Sequence, residues 1–333
     1  MLSIILVNYR SSGYLLNCLR SIQQFDNIND YEILVVDNDS GDNSEILIRD
    51  AFPFVQWVPM GYNAGFARAN NEGIRRSSGD TVLLLNPDTL VENDAIAAVY
   101  RLFGGSAYAA CGIQLLNPDR TAQVSGNYTM KGGINHLLPL PYMGSFLRAI
   151  GNLLGVKKTN LPKATGLQEV DWINGAFLMV RLSAIQKAGM LDEDFFLFFE
   201  EAEWCSRLKR TGPLCIYGQF NVVHLQGDTS NEVFDSSGKG YYNLYDKKGL
   251  QIMVSSLLRI RKQFGSGWFL FHLLAYTITV PVFFILGILH NLARLKNPFA
   301  HFGKLGGFCK NLLKTYTLTP RMILGQPHFY KLL

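Results

Sequence analysis

Apolar runs alternate with amphipathic stretches from the start of the chain. Ser3–Val7 is apolar and β-branched and reads as a first buried strand. Ser12–Gln23 sets Leu15, Leu16, Leu19 and Ile22 at helical spacing. Glu32–Val36 reads as a second strand, Phe54–Val58 as a weaker third, Gly65–Arg76 as a helix, and Thr81–Leu85 as another apolar strand. Strands alternating with helices of ~10–15 residues predict βαβ units and a mainly parallel sheet. Ligands of such sheets bind beyond the carboxyl ends of the strands. Two carboxylates stand at those ends. Asp37 opens the turn-forming run Asp37-Asn38-Asp39-Ser40-Gly41-Asp42, and Asp88 follows Asn86-Pro87.

Farther along, residues 117–168 hold Gly, Pro and few charges, and are expected to form a loop-rich region that could cover a substrate. The run Val170 to Ala176 leads into a strand at Phe177–Val180. Phe195-Phe196-Leu197-Phe198-Phe199-Glu200-Glu201 opens a helix that continues to Arg210. The chain shows no internal repeat and no low-complexity tract.

A length of 333 residues with 48% hydrophobic content allows one large core, or one domain with an appendage. The net charge of +5 conceals a split. Residues 1–238 carry 18 Lys/Arg against 25 Asp/Glu, a net −7, whereas residues 239–333 carry 13 Lys/Arg against Asp246 alone, a net +12. A basic tail points to nucleic acid or anionic lipid; this one is also rich in Leu, Phe and Ile, which favours lipid over nucleic acid. The five scattered cysteines (Cys18, Cys111, Cys205, Cys215, Cys309) form no CxxC pair and read as reduced thiols facing a cytosol. The opening MLSIILVNYR lacks the basic start and cleavage site of a signal peptide, in keeping with a first strand.

Each candidate for chemistry has a bland alternative. Asp88, exposed by a proline-shaped turn at a strand end, suits a hard cation bridging two phosphates, or is an ordinary Asn-Pro-Asp turn. Asp37 suits a hydrogen bond to a base or ribose, or is an Asx-turn. Gly65, in Asn63-Ala64-Gly65-Phe66, allows backbone to approach a ligand, or simply starts a helix. Glu200, Glu201 and Glu203 follow an aromatic wall that would raise a carboxyl pKa, as a general base needs, or make an acidic first helical turn. Glu203 and Arg207, one turn apart, read as a surface ion pair. His224 ends a short apolar run and is a metal ligand or a structural histidine; His136, His272, His290, His301 and His328 show no metal-ligand spacing. The absence of GxGxxG after the first strand, of GxxxxGK[ST] and of GxSxG disfavours dinucleotide dehydrogenases, P-loop enzymes and α/β-hydrolases.

The order of these segments is more specific than any one of them. Val7-Asn8-Tyr9, Val35-Val36-Asp37-Asn38, Asn63-Ala64-Gly65-Phe66-Ala67 with Asn71-Glu72-Gly73, and Leu85-Asn86-Pro87-Asp88-Thr89 resemble glycosyltransferase family 2. Trp172-Ile173-Asn174-Gly175-Ala176, Leu191 to Phe196, Phe199-Glu200-Glu201, and His224 with Gly227 and Ser230 continue the match to about residue 230. Within the family the chain is most similar to the rhamnosyltransferase-like branch of bacterial surface-polysaccharide synthesis. The resemblance implies a GT-A fold, an α/β nucleotide-binding sandwich with a fused acceptor region. Residues 1–238 would be catalytic (1–115 holding the nucleotide sugar, 116–238 the acceptor) and residues 239–333 a membrane-associated helical region.

It further implies that Asn8, Asp37, Asn63, Gly65, Asn71 and Asn86 line a dTDP- or UDP-sugar site, with Asp37 on the pyrimidine. Asp88 and His224 would hold Mg2+ or Mn2+. Glu201 would be the base, with Glu200 its alternative, and Trp172, Asn174 and Gly175 would meet the acceptor. Two departures stand out: Asn86 replaces the first acid of the family's Asp-x-Asp motif, and Glu201 replaces the second, aspartate position of its Glu-Asp pair. The expected activity is inverting transfer, foremost of rhamnose from dTDP-rhamnose, to a lipid-linked saccharide. A UDP-hexose donor and a non-catalytic scaffold are the alternatives.

The tail carries no formal charge from Gln263 to Ala293, and Trp268–Leu289 is almost wholly apolar, long enough to span a bilayer. Pro281 sits mid-run, and basic residues flank both ends: Arg259, Arg261 and Lys262 before, Arg294, Lys296, Lys304 and Lys310 after. A helical pair broken near Pro281 and lying on the cytoplasmic face of a bacterial inner membrane fits those flanks. A single span, a soluble subdomain or an oligomer interface are the other expectations. No nucleic-acid partner is expected.

Overall fold

The computed structural model describes residues 1–25, 28–226, 229–236 and 240–332, so Gly227 of the sequence motif lies outside the described residues. The chain forms two compact units. One comprises Met1–Thr129, Asn160–Phe196 and Glu200–Thr229; the other comprises Met130–Thr159, Leu197–Phe199 and Ser230–Leu333.

The first unit begins with strands β1 (Leu2–Asn8), β2 (Tyr31–Asp37), β3 (Gln56–Pro59) and β4 (Thr81–Leu85), connected by helices α1 (Ser12–Phe25), α2 (Ser44–Ala51) and α3 (Gly65–Arg76). These strands pair in parallel in the order β3-β2-β1-β4, in a register that sets Asn8 beside Asp37. Leu2, Ile4, Ile5, Leu6 and Val82, Leu83, Leu84 are wholly buried, the burial on both faces that gives parallel strands their continuous apolar runs. Leu15, Cys18, Leu19 and Ile22 of α1 join this core, the helical face that the spacing predicted.

Next come β5 (Thr89–Leu90), α4 (Ala95–Gly104), β6 (Ala110–Leu116) and β7 (Gly126–Asn127). Helix α5 (Met143–Leu153) lies in the second unit. The first unit resumes with β8 (Asn160–Leu161), β9 (Leu167–Val170), β10 (Trp172–Ile173), β11 (Phe177–Arg181), α6 (Leu182–Ala188), α7 (Glu200–Leu208) and β12 (Leu214–His224). The large sheet runs β3-β2-β1-β4-β11-β6-β12-β5, with β9 also on β12, while β10-β7-β8 form a small separate sheet.

The large sheet is therefore parallel only in part. β11 is antiparallel to both β4 and β6, and β5 and β9 are antiparallel to β12. An apolar run looks the same in either direction, so the alternation of elements could not reveal the reversal. Its consequence is local: β11 begins opposite the end of β4 (Phe177 beside Leu85), which delivers Trp172–Ala176 to the carboxyl edge. The stretch expected to be loop-rich, 117–168, contains β7, a 3-10 turn at Lys131–Leu137, α5 and β8.

The second unit is built on α9 (Lys247–Phe264), α10 (Ser266–Ala293) and α11 (Phe302–Leu324), after the short α8 (Thr229–Phe234). Asp246, the only acid of residues 239–333, caps α9 by accepting from Gly249 N–H at 2.8 Å, where a carboxylate opposes the positive helix end. The body of α9 is buried nearly all round. Its buried Gln251 donates to Tyr330 O (3.0 Å) and accepts from Leu332 N–H (3.1 Å), which ties down the last residues.

The expected break near Pro281 does not occur: α10 is one helix of 28 residues, with Pro281 inside it. The proline ring is on the exposed side, so only the Thr277 carbonyl loses its usual intrahelical donor. On the other side Tyr276, Thr279 and Phe283 are buried and carry the packing through. The Thr277 and Thr279 hydroxyls donate back to Leu273 O and Ala275 O, both at 2.8 Å. By length and composition α10 could cross a membrane.

Candidate active site

Two groups of side chains gather at the carboxyl edge of the first unit. The first is held by β1 and β2. Asn8 is fully buried; its amide donates to Asp37 Oδ1 and to Ser40 Oγ, both at 2.9 Å, and its Oδ1 accepts from Ser11 Oγ at 3.0 Å. Ser40 donates from Oγ to Asp37 Oδ1 (2.5 Å) and from its backbone N–H to Oδ2 (3.3 Å). Asp37 is thus aimed by neighbours, and Asn8 aims it. The Asx-turn reading of Asp37 is also satisfied, since Ser40 lies three residues on. Alongside, Asn38 donates to Asn63 Oδ1 (3.1 Å) and accepts from Ala64 N–H (2.7 Å), and Asn63 Oδ1 accepts from Gly65 N–H as well (3.2 Å).

Gly65 takes a left-handed φ of +73°, and a Cβ there would lie 2.2 Å from the Phe196 carbonyl oxygen. The close approach expected of this glycine is therefore made to Phe196, whose oxygen also accepts from Phe66 N–H at 2.9 Å. Asn71 is not on the edge. It is buried, donating to Leu191 O (2.8 Å) and Glu193 Oε1 (3.1 Å) and accepting from Leu191 N–H (3.0 Å), so its amide ties α3 to residues 191–193.

The second group surrounds Asp88. β12 runs parallel to β6 and ends at His224, while β5 returns antiparallel on β12 with Thr89 opposite His224. That register places His224 Nε2 3.4 Å from Asp88 Oδ1 and 3.4 Å from Asn86 Nδ2. His224 Nδ1 lies 3.0 Å from Gln123 Oε1. Asn86 N–H donates to Ala176 O (3.1 Å), which joins the end of β4 to the turn before β11. Within that turn Asn174 donates to Val124 O (3.3 Å) and accepts from Ala176 N–H (2.9 Å).

Gly175 lies under Glu201, since a Cβ added to it would be 3.4 Å from Glu201 Cγ. Glu201 and Glu200 open α7 directly after Phe198 and Phe199, both at left-handed φ (+74° and +70°), an uncommon conformation for bulky residues. Glu200 is buried, and its Oε2 has no hydrogen-bond partner among the described residues. Burial foremost, and then the charge of Glu201, hold its carboxyl well above the usual carboxylate range. Trp172 is half-buried, and its indole N–H has no partner among the described residues.

Glu203 corrects the expectation of a surface pair. It is buried and makes a two-pronged contact with Arg207 (Nε to Oε1 2.9 Å, Nη2 to Oε2 2.7 Å), while Arg207 Nη1 donates to Ala188 O (2.7 Å). The pair braces α7 against the end of α6. Sequence reasoning did not single out Gln123, Ser40 or Phe196. Ser40 lay in the turn cluster that drew notice and Phe196 in the aromatic run before Glu200, neither with a role assigned; Gln123 belongs to no motif.

Among the described residues no three of His, Cys, Asp and Glu converge as a complete metal cage. A carboxylate and an imidazole facing each other at 3.4 Å nevertheless fit Mg2+ or Mn2+ at a diphosphate, where phosphate oxygens and waters supply the remaining ligands.

Known proteins resemble this chain in sequence and in fold. The Glycosyl transferase family 2 profile matches residues 3–156. The chain is 30% identical over 213 residues to the low-salt glycan biosynthesis hexosyltransferase Agl10 of Haloferax volcanii, covering 63% of this chain and 62% of that one. It is 24% identical over 250 residues to the rhamnosyltransferase WbbL of Escherichia coli K12 (71% and 88% covered). It is 26% identical over 202 residues to the N-acetylglucosaminyl-diphospho-decaprenol L-rhamnosyltransferase of Mycobacterium tuberculosis (56% and 63%). The aligned part thus spans about three-fifths of two of these relatives. The crystallised mannosyltransferase PcManGT of Pyrobaculum calidifontis, in complex with GDP-Man and Mn2+, superposes with a TM-score of 0.53 at 14% identity, over 96% of this chain and 86% of that one, a likeness of fold. The fold is GT-A, and residues 3–156 carry a glycosyltransferase family 2 domain.

Proposed function

We propose that the protein is an inverting, metal-dependent glycosyltransferase that moves a sugar, foremost rhamnose from dTDP-rhamnose, onto a lipid-linked saccharide. The observation that carries the proposal is the meeting of Asp88 and His224 at the carboxyl edge, with Glu201 seated over Gly175 beside the turn that bonds Asn86. Asp37, fixed by Asn8 and Ser40, is placed to accept from the base, and Asn63 lies next to it. Asp88 and His224 would hold Mg2+ or Mn2+, which offsets the charge that develops on the leaving diphosphate.

Glu201 takes the proton of the acceptor hydroxyl as that oxygen bonds to the anomeric carbon. The bond from that carbon to the diphosphate breaks on the opposite face, and configuration inverts. Glu200 is only 3% exposed, so its carboxyl has little access to an acceptor hydroxyl, which favours the half-buried Glu201 of the two. The unpartnered indole N–H of Trp172 offers a donor to a saccharide hydroxyl. Asn174 shapes the turn, and Gly175 leaves the space that Glu201 occupies.

The rhamnosyl and diphospho-decaprenol terms in the relatives' names support the donor and acceptor classes. The name of the archaeal relative, a hexosyltransferase, keeps a UDP-hexose as the second donor reading. The second unit supports attachment to the cytoplasmic membrane surface. The outer side of α10 exposes Leu270, Phe271, Leu274, Ile278, Ile285 and Leu289 in a unit dominated by Lys and Arg. Its inner side is buried within the same unit, so α10 lies along the surface in this proposal.

The test is binding and hydrolysis across a panel of nucleotide sugars with Mn2+ or Mg2+. Asp88→Ala is expected to abolish metal-dependent donor binding. Glu201→Gln is expected to keep that binding and lose transfer to a polyprenyl-diphosphate saccharide by at least ~100-fold. Failure of every nucleotide sugar to bind, with or without metal, refutes the proposal in favour of a non-catalytic scaffold.

A further inference from the structure

A histidine can present a lone pair to a cation only from an unprotonated nitrogen, so something must decide which nitrogen carries the proton. We infer that Gln123 makes that decision for His224, and is a positioning residue for the cation site. The inference rests on the metal reading of Asp88 and His224 given above.

Gln123 lies between β6 and β7, 6% exposed. Its Nε2 donates to the carbonyl oxygens of His224 (2.6 Å) and Leu116 (3.2 Å). Both are pure acceptors, so a flipped amide would press its own oxygen against two others; the orientation of Gln123 is fixed. Its Oε1 is then the atom 3.0 Å from His224 Nδ1, and it accepts the Nδ1 proton. With the Nδ1 N–H donating to Gln123, the nitrogen left to offer a lone pair is Nε2, 3.4 Å from Asp88 Oδ1. A carboxylate oxygen and an imine nitrogen turned towards each other repel unless a cation or a proton lies between them.

The backbone of Gln123 is itself pinned. Its N–H donates to Leu115 O (2.8 Å), and its carbonyl accepts from the buried Gln114 amide (2.8 Å) and from Ser125 Oγ (3.2 Å). One side chain thus grips the ring of His224 and the backbone oxygen of the same residue. Such support of a ligating histidine is worth about 10–100-fold in metal affinity.

Long-range 1H–15N correlation of the imidazoles in metal-free protein, at about pH 8.5 where an ordinary imidazole is neutral, reads the tautomer directly. The His224 signals are assigned by their loss in His224→Ala. Wild type is expected to show a protonated Nδ1 and a bare Nε2. Gln123→Met, similar in length but without the amide, is expected to lose that preference and to bind Mn2+ ~10–100-fold more weakly in an electron paramagnetic resonance titration with dTDP or UDP present.

A wild-type proton on Nε2, or an unchanged Nδ1 proton in Gln123→Met, overturns the inference. If Gln123→Met does not fold, the wild-type spectrum decides alone, and a proton on Nε2 overturns the inference. If wild type has the expected tautomer but binds no Mn2+, the metal reading falls and the control of His224 by Gln123 stands, because the first signal is recorded without metal.

Discussion

Gly61 and Gly65 make a matched pair on which the packing at the site edge can be measured. Both have φ +73°, but a Cβ on Gly61 would meet nothing within 4 Å, whereas one on Gly65 would lie 2.2 Å from Phe196 O, 2.7 Å from its Cδ2 and 2.9 Å from its carbonyl carbon. Alanine at either position meets the left-handed penalty of about 1–2 kcal/mol. At Gly65 it must also push backbone away, at about 1–3 kcal/mol for overpacking. That movement weakens the Phe66 N–H to Phe196 O hydrogen bond, worth about 1 kcal/mol. The difference between Gly65→Ala and Gly61→Ala is then about 2–4 kcal/mol. At ~2–4 °C per kcal/mol for a domain of this size, it amounts to a gap of ~5–15 °C in Tm. Parallel thermal melts followed by circular dichroism check it. Equal melting of the two variants would refute the close approach of Gly65 to Phe196, and with it the bracing of the Asn63 loop against the segment that leads to α7.

Asn71→Ala leaves both the N–H and the C=O of Leu191 without their side-chain partner, and is expected to lower stability by about 1–3 kcal/mol in urea unfolding with an unchanged m-value. Glu200 has a folded-state pKa above its unfolded one, so the folded protein holds a proton that the unfolded chain releases, and the stability contribution of Glu200 falls as pH rises past the ordinary carboxyl range. Glu200→Gln should therefore stabilise the protein, relative to wild type, more at pH values above the ordinary carboxyl range than within it, as read by Tm; a pH-independent difference would contradict the raised carboxyl of Glu200. Leu274→Ser combined with Ile285→Ser removes two apolar side chains that are 57% and 54% exposed without altering charge, so the melt should be unchanged while sedimentation with phosphatidylglycerol vesicles weakens by at least ~10-fold.

Local pattern was enough to locate what local physics decides. The apolar strands β1, β2 and β4 appear where their runs stand, α1 buries the side that its spacing marked, and Asp37 and Asp88 fall at strand ends. Direction and long-range register were another matter. Nothing in Phe177–Val180 says that β11 runs against β4, and nothing near residue 224 says that β12 will follow β6 until His224 reaches Asp88. Only the family resemblance joined those two residues in advance. It could not tell that Asn71 faces residues 191–193, because a buried bridging amide and a ligand-binding one are the same letter. Pro281 misled for a related reason: its cost in a helix depends on which side the ring faces, and that is set by packing on the opposite side of α10.

Asn86, the departure from an acidic pair, is consistent with its surroundings. Its backbone is committed, donating to Ala176 O and accepting from Thr89 N–H (3.2 Å) and Thr89 Oγ1 (2.8 Å), so the side chain at this position must face the His224 ring. With its Nδ1 N–H donating to Gln123 Oε1, that ring offers a lone pair at Nε2. An aspartate at 86 would set a second carboxylate against the same lone pair, whereas the asparagine amide turns a donor towards it at 3.4 Å. On the proposed reading, Asn86 gives up one unit of charge near the cation, an interaction of about 1–4 kcal/mol at 4 Å between water-like and protein-surface screening. In exchange it gives the Nε2 lone pair a donor while no cation is bound, a hydrogen bond that a cation taking that lone pair would displace. Cation retention then depends on the donor's diphosphate for the missing charge, which links metal binding to donor binding.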